Sequence, residues 1–222
     1  MEYIIRRANI AASATDWHDW HDADTLEVAH FRPESSSHRP HTQARLLHDE
    51  TGIRGIFRVE DRYVRCLRTK YGEEVWKDSC VELFLQPRED RGYFNFEFNC
   101  GGAFLCCYIV NPERTADGFK EFTRVPWEVA SKVDVRASLS ATIDPEITSP
   151  LVWILSFTIP FSLFEHYLGP LGDVSGQAWR GNFFKCAEEN SHPHWAAWSP
   201  VDEFNFHLPQ CFGRIRLEKN LR

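Results

Sequence analysis

The sequence predicts an all-β fold, two antiparallel sheets packed face to face as a β-sandwich with one short helix. Three observations predict it. Period-two alternation of apolar and polar residues recurs from residue 44 to the end, whereas the 3.6-residue spacing of an amphipathic helix is scarce. Gly, Pro, Asp and Asn bound most of these runs. Aromatic residues make up 14% of the 222, with 17 Phe, 8 Trp and 6 Tyr against a single Met, and stiff rings favour strands.

In chain order, residues 1–43 carry His, Asp, Ser and Pro clusters around one apolar stretch, 25–31, which reads as an edge strand between long loops. Residues 53–60 and 62–69 read as two strands in quick succession. Residues 81–86, 93–100 and 103–110 follow, separated by the turns Pro87-Arg88-Glu89-Asp90 and Gly101-Gly102. Residues 133–143 alternate without a break and are expected to form one long, half-buried strand. Residues 152–159, 182–188 and 212–217 complete a set of about nine, which suits two packed sheets. Ser162-Leu163-Phe164-Glu165 has the form of a capping box and Gly169-Pro170 a stop signal, so a short connector helix is expected between them. No repeat or linker-like shift divides the chain, and a single domain over residues 1–222 is the expectation.

The formal net charge of −7 repels phosphate backbones and anionic membranes, so neither nucleic acid nor a membrane is expected as partner. No apolar run approaches the roughly 20 residues of a membrane span. The start, MEYIIRRANI, lacks the basic and apolar regions of a signal peptide, which reads as cytoplasmic, or as secreted or periplasmic if a leader has been removed. Seven cysteines, odd in number and mostly inside apolar runs, suit reduced, buried thiols; no CxxC or zinc-type spacing occurs. His18-x-x-His21, His38-x-x-His41 and His192-x-His194 are loop pairs, better read as hydrogen-bonding residues than as a metal centre.

The polar faces of the strands point to chemistry. Phe94, Phe96 and Phe98 share one face with core, leaving Asn95, Glu97 and Asn99 on the other. Val81, Leu83 and Leu85 likewise leave Glu82 opposite them. Arg58 and Arg65 are expected as its neighbours, in a network with Glu82, Glu97 and Asn99. Trp76 stands among charged residues at the entrance to the Glu82 strand. Trp195 and Trp198 sit in a Pro-bracketed loop too aromatic for plain solvent exposure.

These residues carry a resemblance. VWKDSCVELFLQP, with its W-x-D-x-x-x-E core, YFNFEFNCGG, WRGNFFKCAEE, HPHWAAWSPV and FHLPQCFGRIRL, preceded by RPESSSHRPHTQARLLHD, resemble the family 9 carbohydrate-binding modules in family order over residues 30–217. The resemblance is to free-standing family 9-like proteins, which share the DOMON-type, immunoglobulin-like sandwich. It implies non-catalytic binding of a mono- or oligosaccharide, with one ring, at a chain terminus, held between two Trp. Trp76 matches the first Trp and Glu82 the hydroxyl-binding carboxylate. Asn99, Asn182 and Lys185 lie where further polar contacts come, and Trp198 matches the second Trp, with Trp195 the alternative. No cofactor is implied beyond structural calcium, for which residues 16–24 and 89–90 offer carboxylates. Haem held between Met and His, known in some DOMON relatives, lacks its Met ligand in the folded body because Met1 is the sole Met, which leaves only a bis-His site, a disfavoured alternative. A glycoside hydrolase using Glu82 and Glu97 is the competing reading. It is disfavoured here because neighbouring Arg residues are expected to keep both carboxylates ionised, which is wrong for a general acid.

Overall fold

Alternation places the apolar side chains of each strand on one side, and the computed structural model, which describes residues 1–8, 15–116 and 118–219, shows what those sides meet. The chain begins with β1 (Glu2–Arg7), two short strands β2 (Leu26–Glu27) and β3 (His30–Phe31), then β4 (His41–His48), β5 (Gly52–Asp61) and β6 (Val64–Cys66). The middle of the chain forms β7 (Cys80–Gln86), β8 (Tyr93–Asn99), β9 (Phe104–Thr115) and β10 (Gly118–Arg124). A one-turn helix α1 (Trp127–Ala130) leads to β11 (Asp134–Ala137), β12 (Ile143–Ile147) and β13 (Leu151–Pro160). Helix α2 (Phe161–Leu168), β14 (Ala178–Ala187), β15 (His194–Ala197) and β16 (Gly213–Leu217) complete it. The fold is mostly β, and no described helix is long and apolar enough to cross a membrane.

Hydrogen-bonded neighbours run in the order β10-β9-β8-β7-β14-β16-β1-β4-β5-β13-β11. Strand β1 joins the two halves of this succession. Its residues Glu2 to Ile5 pair in parallel with β16, and Arg6 and Arg7 pair with β4. Rings from the two halves then meet in one core. Phe98 of β8 stacks on Phe157 of β13 at 5.0 Å, and Phe57 of β5 meets Phe183 of β14 edge-on at 6.2 Å. The apolar faces read from alternation, Val81, Leu83 and Leu85 and Phe94, Phe96 and Phe98, are buried there together with Phe57 and Val59.

Several expectations about elements differ from the structure. Residues 133–143 are not one strand. Asp134–Ala137 pairs with β13, the chain then turns away, and Ile143–Ile147 forms a separate two-stranded ladder with β6. Alternation reports the two faces of a ribbon but not its partner, and here the partner changes midway. Residues 25–31 split for the same reason, β2 pairing with β4 and β3 with β15. Strand β1 has no alternation signal of its own, being short and charged at its end. The short helix is present, but Ser162 lies inside it rather than at its cap. The Glu165 carboxylate turns instead to the backbone N–H of Leu171, and Gly169 ends the helix at φ 72°, which glycine adopts without strain.

The opposite faces of β7, β8, β9 and β14 are covered. The segment around Trp76, β15 and residues 201–212 lie across them and build a second apolar cluster with Phe84, Tyr93, Leu105, Ile109, Phe184 and Phe212. Six of the seven thiols are buried and all seven are free.

Candidate functional site

Inside that second cluster is a cavity of about 320 Å³. Its floor is the covered sheet face. Glu82 on β7 stands directly opposite Glu97 on β8, with Asn95 two residues from Glu97 on the same side, and Leu105, Cys107 and Cys186 fill in around them. Trp76, Glu188, Trp195, Phe206 and His207 contribute walls, and Arg114, Phe119 and Arg124 line it from β9 and β10. Phe122 and Phe204 line it too while remaining 37% and 52% exposed, so apolar surface reaches out to solvent at the mouth.

Much of the polar lining is already committed. The Asn95 side chain accepts the Cys107 N–H at 2.8 Å and donates to Glu97 Oε1 at 2.6 Å. The Cys186 thiol donates to Glu82 Oε1 at 3.1 Å, and the Trp195 indole N–H donates to Glu188 at 3.3 Å. Tyr93 holds His207 Nδ1 at 2.8 Å. Packing fixes the aromatic walls: Phe206 stacks on Phe184 at 4.1 Å, and Trp195 meets Phe204 edge-on at 4.8 Å. One atom is left over. Among the described residues, Glu97 Oε2 is buried with no hydrogen-bond partner. Burying a carboxylate oxygen unpaired costs free energy that a donor supplied by a ligand would recover.

Burial also governs the protonation of the floor. It pushes the Glu97 carboxyl up to about 7, the Asn95 hydrogen bond and the more distant Arg114 and Arg124 opposing it only in part. Burial, the Cys186 thiol and the facing Glu97 hold the Glu82 carboxyl well above the usual carboxylate range. The expected arginine network does not form. Arg58 pairs with Glu60 at 2.7 Å and Arg65 lies near Asp144, so neither reaches Glu82 or Glu97.

Of the seven residues assigned to the sugar from the sequence, the structure brings together Trp76, Glu82 and Trp195, beside Glu97, and places the other four elsewhere. Trp198 is 5% exposed and packs edge-on to Tyr3 and Phe183 in the main core. It also passes so close to Gly213 that a Cβ there would stand 2.5 Å from its ring. Asn99 donates to Asp78 and to the Arg68 carbonyl, holding the loop before β7. Asn182 is spent on Ser199. Lys185 points to the core side of β14. There its ammonium lies 3.6 Å from Asp61, 2.9 Å from His194 Nε2 and over the Trp153 ring. Asn95, Arg114, Phe119 and the Phe204-x-Phe206-His207 segment join the site instead. Of these, Asn95 had a signal in its even spacing from Glu97, and Phe206 and His207 open the FHLPQCFGRIRL motif; Arg114, Phe119 and Phe204 had none.

The carboxylates of the loop at residues 16–24 are held separately. Asp16 caps the turn at His18, Asp24 pairs with Arg6, and among the described residues no three carboxylates converge there. The histidine pairs divide likewise, His38 bonding Asp61, His194 bonding Lys185 and His192 stacking on Tyr63.

A mostly β fold here carries an aromatic-walled cavity over facing carboxyls, a lining suited to a small polar ligand with apolar faces. Comparison with known proteins makes the class specific: residues 15–217 match the model of carbohydrate-binding family 9, and the chain belongs to that family. A structure from Bacteroides uniformis, assigned as carbohydrate-binding, is 26% identical with a TM-score of 0.82, covering 97% of this chain and 99% of its own. Two structures of a family 9 module from Caldicellulosiruptor kristjanssonii, one with glucose and one with cellotriose, share the fold at 10% and 12% identity. Their TM-scores are 0.67 and 0.61, and each covers 100% of this chain, with 97% and 95% of their own chains matched. No curated protein matches this chain.

Proposed function

We propose that the chain binds carbohydrate without cleaving it. A terminal sugar ring lies in the cavity with Trp76 and Trp195 against its faces and with Glu82, Asn95 and Glu97 at its hydroxyls. In this reading the two halves of the sheet form a two-layer, DOMON-type sandwich that carries the site on its outer face. The observation that carries the proposal is the unpartnered Glu97 Oε2 at the floor of an aromatic-walled cavity. A pyranose offers C–H groups on its faces and O–H donors around its rim, which matches apolar walls over an unsatisfied acceptor. The volume of about 320 Å³ is at the small end of the ~300–1,000 Å³ range of ligand pockets, which favours a chain end over a chain passing through. The family 9 modules seen with glucose and cellotriose support the ligand class.

Half-covering two indoles buries about 200 Å², roughly 5 kcal/mol gross at ~25 cal/mol per Å². Ordering and hydroxyl desolvation remove part of it, so the expected Kd lies between about micromolar and millimolar.

The raised carboxyls give the hydrolase reading an argument that the sequence denied it, because no arginine holds them ionised. Geometry and charge weigh against it. A glycosidase needs its carboxyls on either side of the scissile bond, whereas Glu82 and Glu97 are register partners rising from one sheet face. It also needs one acid and one ionised partner, and here the same burial pushes both upward. Titration with mono- and oligosaccharides, followed by tryptophan fluorescence and calorimetry, tests the proposal. Saturable binding lost in Trp76→Ala and in Trp195→Ala is expected. No binding at millimolar sugar overturns the proposal, and reducing-sugar release that vanishes in Glu82→Gln establishes the hydrolase.

A further inference from the structure

Three metal-binding side chains converge at the cavity floor from two strands. Cys80 and Glu82 are two apart on β7 and share a face, and Cys186 stands directly opposite Cys80 on β14. Cys80 Sγ, Cys186 Sγ and a Glu82 carboxylate oxygen all lie within 4.8 Å of one another, and all three residues are buried. The Trp76 carbonyl oxygen lies 3.5 Å from Cys186 Sγ. We propose that Cys80, Cys186 and Glu82 bind a thiophilic divalent cation of the zinc class, with the fourth coordination position open to the cavity.

Distance, donor chemistry and access each support the site. Tetrahedral zinc, with bonds of ~2.3 Å to sulfur and ~2.1 Å to oxygen, holds its ligand atoms roughly 3.5–3.8 Å apart, so the three atoms need only small side-chain rotations to close on an ion. Two thiolates and one carboxylate make a soft to borderline set that selects zinc over calcium or magnesium, which take oxygen alone. Cys186 and Glu82 line the cavity, giving an ion a route in, while Cys80 closes the site from below. On binding, each thiol, and the Glu82 carboxyl where it carries a proton, gives that proton up to solvent, and the Cys186 hydrogen bond to Glu82 is replaced by two bonds to the ion. Charge is then nearly balanced, three anionic ligands against a dication, and among the described residues no Lys or Arg makes an ion pair with Glu82 that the metal would have to displace. A comparison within the molecule sharpens the argument. The neighbouring thiols Cys66 and Cys100 are also buried, but no third His, Cys, Asp or Glu ligand joins them among the described residues.

The test uses the full chain, reduced and stripped with chelator, in the absence of sugar, so that its outcome is independent of the carbohydrate proposal. Cobalt(II) reports thiolate ligation through a near-ultraviolet charge-transfer band and tetrahedral geometry through visible absorption. The expected result is one Co2+ per chain with both features, bleached by Zn2+, and an affinity lowered by more than ~100-fold in Cys186→Ser, since even partners outside the ligand shell cost 10–100-fold. Glu82→Gln, nearly isosteric, keeps both thiols and is the second variant should Cys186→Ser not fold. It should weaken cobalt binding while retaining the charge-transfer band. Absence of that band overturns the proposal, as does a band of full intensity in the Cys80→Ala, Cys186→Ala double variant.

Discussion

Glu97 and Asp61 are buried to nearly the same degree, 4% and 5% exposed, on the two sides of β14, but their surroundings differ in kind. Asp61 is saturated. Its oxygens accept from His38 at 2.7 Å, Trp153 at 3.1 Å and the Arg62 N–H at 2.8 Å, with the Lys185 ammonium 3.6 Å away. Burial would push this carboxyl up; Lys185, His38 and their neighbours more than reverse it and hold it at about 2. His194 completes the cluster as a neutral ring, its pKa driven down by burial and by Lys185. Its Nδ1–H faces the His192 carbonyl at 2.9 Å, which leaves Nε2 to accept from Lys185. Among the described residues, Glu97 has one amide donor, one orphaned oxygen and no ion pair. A buried charge whose partners are all built in serves the fold, whereas one left short of a donor beside a cavity is poised for a ligand.

Breaking the saturated cluster should have the largest effect. Lys185→Met leaves the Asp61 carboxylate buried without its cation and is expected to cost about 3–5 kcal/mol, read as a lowered urea midpoint. Trp198→Ala should cost a similar amount by opening a cavity in the main core, about 3–5 kcal/mol. A soluble, fully stable Trp198→Ala protein that no longer bound sugar would return that residue to the site.

The two carboxyls should leave opposite marks on pH dependence. Asp61, depressed from 3.8 to about 2, contributes stability that is present above about 3.8 and lost as the pH falls through 2. Glu97, raised from 4.5 to about 7, contributes stability that is present below about 4.5 and lost as the pH rises through 7, a swing on the order of 3 kcal/mol. Glu97→Gln, which mimics the neutral acid, should therefore raise the melting temperature over wild type more at pH 8 than at pH 5. An equal gain at both values would mean that Glu97 is already ionised at pH 5.

Smaller effects belong to the walls. Trp195→Ala should lower stability by only about 1 kcal/mol, because the indole is half-buried, while sugar affinity falls roughly 10- to 100-fold. Glu188→Gln keeps an acceptor for the Trp195 indole and should change stability by less than about 0.5 kcal/mol and affinity by less than about threefold. If it abolished binding, Glu188 and not Glu97 would be the carboxylate that matters.

How far the sequence can be read follows from strand parity. Along one strand, residues an even number apart share a face, so Val81, Leu83 and Leu85 against Glu82, and the three Phe of β8 against Asn95 and Glu97, are legible from residue order alone. The same rule applied between 182 and 185, or between 195 and 198, shows odd separations, so neither pair could serve one cavity from an unbroken strand. Which member serves it is not legible, since that depends on the register of β14 against its neighbours: Phe184 falls opposite Glu82, Cys186 opposite Trp195, and Lys185 is turned inward to Asp61. The sequence by itself therefore determined the class of fold, the core faces, the buried reduced thiols and the placing of Trp76 and Glu82 near one another. Tertiary structure alone decided that Cys186 meets Glu82 across 104 residues, that Glu82 faces Glu97 with Arg58 and Arg65 paired elsewhere, and that Lys185 belongs to the core. The physical reason is that period-two alternation constrains a residue only relative to its own strand, whereas charge pairing and site assembly depend on cross-strand register, which is settled by packing of the whole sheet.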